Sequence, residues 1–135
     1  MTQTADDLVQ FLHVRLEEEE QLAQAATPGP WKQNGIGEYG WTVSFSRPGS
    51  GVETEDSGQG RADADYIAAH APERALREIA FKMSLLTEYT KEEWVMKQGH
   101  RSGWTEGGQS VRDLLIKEWA SAYDAHPEYR QEWRP

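Results

Sequence analysis

Apolar side chains return at three- and four-residue steps through the first stretch of the chain: Leu8, Phe11, Leu12, Leu16, Leu22, Ala23 and Ala26. That period predicts an amphipathic helix with one apolar stripe. Thr4, with Asp7 three residues on, predicts the helix cap, and Asp6 and Asp7 suit the positive end of the helix dipole. Glu17–Glu20 fall on the other side, which suits a solvated face or a contact for an arginine-bearing helix. The helix has to end near Ala26, because Pro28 disfavours helical dihedrals at Thr27 and Pro30 does the same at Gly29. Trp31 is the first large side chain after this corner. It is expected to fold back onto the helix stripe as a clamp, or else to serve as a stacking platform for a ligand.

The period then drops to two. Trp41, Val43 and Phe45 alternate with Thr42 and Ser44, and short strands are predicted over 31–34, 40–46 and 50–55. The turns G-I-G-E-Y-G and R-P-G-S-G make the three strands an antiparallel meander. D-S-G-Q-G-R at 56–61 predicts a loop, after which Asp63 or Asp65 caps a short helix carrying Tyr66 and Ile67. Pro72 marks the first turn of a longer helix, to about Lys97. In it Leu76, Ile79, Met83, Leu86 and Thr90 form a heptad-like seam that Trp94 extends. The seam suits packing against the first helix and the sheet, or pairing with a second copy of the chain. Residues 98–109 predict a glycine-rich linker. Ser110 with Asp113 then predicts the cap of a last helix, to about Ala125, with Val111, Leu115, Trp119 and Ala122 on one face. His126-Pro127 ends it, and a final turn brings Tyr129 and Trp133 together with Arg130 and Arg134 beside them. The expected class is α+β: an N-terminal helix, a three-stranded antiparallel meander, then long helices packed on the sheet. Residues 1–97 form the core, 98–109 the linker and 110–135 a helical extension of one compact domain.

Composition narrows the function. Net charge is −9, so repulsion from phosphates argues against non-specific nucleic-acid binding. The same charge suits solubility, a basic protein partner or imitation of DNA. With no cysteine there are no disulfides or thiolate metal sites, which fits a reducing cytoplasm. No apolar run approaches the roughly 20 residues that span a bilayer, and the acidic opening MTQTADD lacks the basic start of a secretory leader.

Candidate chemistry is sparse. G35-I-G37-E-Y-G40 matches the dinucleotide fingerprint by letter, but a strand follows it where that fold needs a helix, so a hairpin turn is expected. Glu53, Glu55, Asp56, Asp63 and Asp65 gather around one loop without calcium-loop spacing. His13, His70, His100 and His126 form no metal motif, and no serine sits in a nucleophile elbow. No catalytic residue, metal or cofactor is expected. Trp31, Lys32, Tyr39, Trp41 and Arg47 put aromatics and cations on one small sheet, either as core or as a stacking pocket for a nucleotide. Leu76, Ile79, Met83 and Leu86, with Trp94, Trp104 and Trp133 taken as exposed, are the expected oligomer or partner surface.

Three stretches in order, A-T-P-G-P-W, D-A-D-Y-I-A-A-H-A-P-E-R-A-L-R-E-I and H-P-E-Y-R-Q-E-W-R-P, resemble a family of uncharacterised small proteins of actinobacteria and their phages. T-P-G-P-W with D-A-x-Y-I-A also resembles accessory proteins from the early regions of tailed-phage genomes. The resemblance implies a phage or prophage setting and a cytoplasmic role in host takeover or counter-defence, with no catalytic residues. Relatives tend to carry Asp or Asn where this chain has Ala71, so a side-chain cap before Pro72 is lost. The expected function is non-enzymatic binding of a host protein, by a homo-oligomer. The alternatives are a sponge for a nucleotide signal and an acidic mimic of DNA.

Overall fold

The computed structural model describes residues 3–135, with side chains from Ala5 onward. Thr4 lies within α1, and the expected cap rests on its side chain, which is outside those described. The elements run α1 (Gln3–Ala25), β1 (Lys32–Ile36), β2 (Trp41–Ser44), β3 (Gly51–Glu53), α2 (Gly58–Ala69), α3 (Pro72–Lys97) and α4 (Gly103–Ala120), with short 3-10 turns at Ser121–Tyr123 and Gln131–Trp133. The chain is α+β, with the N-terminal helix, antiparallel meander and later helices that its periodicity predicts. It divides into two compact units: the residues up to Glu18 together with Ala80–Pro135, and Glu19–Ile79.

The Glu19–Ile79 unit is built on the sheet, in the order β1-β2-β3. Gln33 opposes Val43, and Val43 opposes Val52. A bulge lies between Gln33 and Ile36, where Gly35 takes a φ of 84°. Successive strand side chains point to opposite faces, so the face bearing Val43 is the one to bury. It is covered by α2, whose Ala64 is fully buried. The fingerprint-like glycines do make a hairpin turn: Gly37 donates to the Gly40 carbonyl at 2.7 Å, and a Cβ on Gly40 would lie 1.7 Å from the Thr54 carbonyl oxygen.

The start of α2 corrects the sequence reading. Its cap is Ser57, whose hydroxyl accepts from the Gly60 amide at 2.9 Å, so most of the expected loop D-S-G-Q-G-R is helical. Asp63 and Asp65 sit inside the helix, where they accept from Gln59 and Gln33. Gly60 is what permits the earlier start, since its missing Cβ would fall 1.7 Å from the Glu55 carbonyl oxygen.

The proline corner turns the chain as expected. Trp31 folds back onto the corner and the sheet end. It is half-buried, its indole N–H donates to the Thr27 carbonyl at 2.9 Å, and its ring stacks on Phe45 at 4.3 Å. The Gly29 amide donates to Glu73 in the first turn of α3 at 2.6 Å, and the Ser46 hydroxyl donates to the Pro28 carbonyl. Leu22, expected in the α1 stripe, is 74% exposed.

The other unit buries Leu8, Val9, Phe11, Leu12 and Leu16 of α1, Leu86, Tyr89 and Met96 of α3, and Ile116 and Ala120 of α4. Its centre is aromatic. Phe11 meets Tyr123, His126, Tyr129 and Trp133 with ring centroids 5.0–6.3 Å apart, mostly edge to face. Such pairs each add about 0.5–1.5 kcal/mol beyond burial. Arg15, itself buried, lies over the Phe11 ring, pairs with Glu18 at 3.1 Å and reaches the His126 ring at 2.7 Å.

The late helices depart from expectation. On α3 the buried line follows Leu86, Tyr89 and Met96, and Thr90 and Trp94 point out. A heptad seam moves between steps of three and four, and the step after Leu86 is three. The expected linker contains most of the first half of α4, because Ser102 and Thr105 form a reciprocal capping box upstream of the glycines. Ser110 and Asp113 therefore lie within the helix. Trp133 is buried, contrary to its expected exposure, because the C-terminal turn closes over Phe11.

Candidate functional site

The five residues proposed as a nucleotide pocket do not converge. Trp31, Lys32 and Arg47 lie at one end of the sheet, where Arg47 reaches the Thr27 hydroxyl at 3.4 Å. Tyr39 is at the opposite end, 77% exposed in the β1–β2 turn. Trp41 begins β2 at that same end, with the Arg61 guanidinium 5.0 Å from its ring. The concave surface of the β2–β3 hairpin, about 500 Å³, includes Arg47 but none of the three aromatics. The acidic run is partly committed within the chain: Glu18 holds Arg15, and Glu20 accepts from Gln24. Among the described residues, no three His, Asp or Glu side chains are placed to hold a metal, and no helix is long and apolar enough to cross a membrane.

Of the expected interface residues, Ile79 and Leu86 are buried, Leu76 and Met83 half-buried, and Trp94 is 63% exposed. Trp104 is 91% exposed, the most exposed large apolar side chain described. It was expected to be exposed in a linker, and the structure sets it instead on one helical stripe with Val111 and Leu115. Trp104, Val111 and Leu115 recur at steps of seven and four, and Val111 and Leu115 are respectively 58% and 44% exposed. Leu114 beside them is also exposed. The buried line of α4 is instead Gln109, Ile116 and Ala120, at steps of seven and four on a different side. The helix thus carries two apolar faces and uses one of them in its own unit. Gly103 and Gly107, along the exposed stripe, have nothing within 4 Å of a built Cβ. With Trp104 and Val111 they line a groove of about 550 Å³ that also includes Glu92 and Arg112.

A polar cleft lies between α3 and α4, lined by Tyr89, Glu93, Met96, Glu106, Gln109, Ser110 and Asp113. The Tyr89 hydroxyl donates to Asp113 at 3.3 Å. Burial first, then the charges of Glu93 and Asp113, push its phenol well above the ordinary tyrosine range. Gln109 donates to the Tyr89 carbonyl at 3.0 Å and to Glu93 at 2.8 Å. Sequence reasoning missed this group because Gln109 fell in the supposed linker. Its one available signal was that Gln109 stands seven residues before Ile116, in phase with the buried line.

Residues 5–135 match a family described as "Family of unknown function (DUF6221)", and the chain belongs to it. A search of curated proteins and a search of solved structures each give no match.

Proposed function

We propose that this member of a family without an assigned role is a non-enzymatic binding protein, and that it acts by occupying the surface of another protein. The observation that carries the reading is the second apolar face of α4, where Trp104, Val111, Leu114 and Leu115 stay exposed. Monomeric proteins rarely leave a contiguous apolar stripe rimmed by polar groups without a use for it, and tryptophan is the residue type most enriched at binding hot spots. The net charge of −9 favours a partner with a basic surface, which it would steer at low salt. The resemblance to proteins of actinobacteria and their phages supports a setting of host takeover or counter-defence, with a host protein as the partner, in the bacterial cytoplasm.

The test is affinity capture from an actinobacterial lysate with the wild-type chain and with Trp104→Ser, after thermal melts show that both are folded. The expected outcome is one host protein retained by the wild type and lost from the variant, and retained less as salt is raised. A retained set identical for the two chains overturns the reading. So does a melting shift with nucleotides, which mass action produces only when the folded chain binds them. That result favours nucleotide sequestration.

A further inference from the structure

We propose that the cleft between α3 and α4 is a receptor for a guanidinium group, the side chain of an arginine presented by the partner protein. The cleft is about 440 Å³. Gln109 is 5% exposed, and both neighbours of its Nε2, the Tyr89 carbonyl and a Glu93 carboxylate oxygen, are pure acceptors. That fixes the amide orientation, because a flip would set oxygen against oxygen. Its Oε1 is consequently a buried acceptor with no donor among the described residues. An acceptor left so keeps the penalty of its lost hydration, which a donor arriving with a ligand removes.

The surroundings say which donor. Glu93, Glu106 and Asp113 line the same cleft, so the potential there is negative. Burial, then the charges of Glu93 and Asp113, raise the Tyr89 phenol. Two cations among the described residues are held on the open side. Lys117 pairs with Asp113 at 3.0 Å and Arg101 with Glu106 at 3.1 Å, and exposed pairs of this kind are worth little. A compact metal ion is disfavoured, since no three carboxylates converge among the described residues. A guanidinium suits the site better. Its planar fork offers several N–H donors at once, to the Gln109 carbonyl and to carboxylates on both helices, while its flat face and stem rest on Met96. The source of the arginine rests on the binding-protein reading; the chemistry of the cleft does not.

The test titrates the isotope-labelled full chain with N-acetylargininamide, and in parallel with N-acetyllysinamide and magnesium, following the Gln109 side-chain amide and the Tyr89 ring by NMR. The arginine probe should shift both signals saturably, with a dissociation constant on the order of millimolar, as befits a single side chain without its neighbours. Asp113→Asn and Glu106→Gln, on the half-exposed rim, should each weaken it several-fold, and Gln109→Met should abolish it. If Gln109→Met does not fold, the two rim variants still decide. Equal shifts with lysinamide or magnesium, or no saturation by roughly 100 mM probe, overturn the proposal. Loss of lysate capture on Trp104→Ser leaves this titration unaffected, so the two readings fail separately.

Discussion

Trp104 and Trp133 are the same residue type with opposite fates. Neither fate follows from the six or seven residues around it. Trp133 is 2% exposed because Phe11, far away in sequence, offers a ring 5.0 Å away and the Arg130 guanidinium lies 5.5 Å from its ring centroid. Trp133→Ala should therefore destabilise the chain by about 3–5 kcal/mol, read from urea denaturation, whereas Trp104→Ala should leave the midpoint nearly unchanged. Tyr89 yields a pH dependence. Its phenol stays protonated in the folded chain above the pH, near 10, at which an unfolded tyrosine ionises. The unfolded state then releases a proton that the folded state keeps. The stabilisation is complete below that pH and is lost as pH rises toward the folded value. Urea midpoints measured from about pH 9 to 11 should fall more steeply for the wild type than for Tyr89→Phe.

At the scale of elements, starts and stops were legible wherever local chemistry alone sets them. The Pro28–Pro30 corner ends α1, Pro72 opens α3, and the glycine-flanked strands pair as a meander with Gln33 opposite Val43. The errors came where two local signals competed. At both Ser57 and Ser102 a serine cap outweighed the glycines after it, and a helix replaced an expected loop or linker. Glycine inside a helix costs up to about 1 kcal/mol each; a good cap and a buried face downstream offset that. Ser102→Ala should remove about 1 kcal/mol and speed amide exchange in the first turn of α4, with the rest of the helix unaffected. If exchange there is already at the unfolded rate in the wild type, the cap is not what starts the helix.

At the scale of the whole molecule, the sequence determined the class, the order of elements, the acidic character and the absence of any thiol chemistry. These depend on composition and on side-chain period, which are properties of the chain itself. Periodicity also showed that α4 is amphipathic, but not which side faces inward, because Trp104, Val111 and Leu115 repeat with the same spacing as Gln109, Ile116 and Ala120. Only the tertiary structure decided that, by setting the second line against its own unit and leaving the first in solvent. The same holds for the orphaned carbonyl of Gln109 and for the separation of Trp31 from Tyr39 along β1. Burial and convergence are relations between residues distant in sequence, so packing had to be known before a surface could be told from a core.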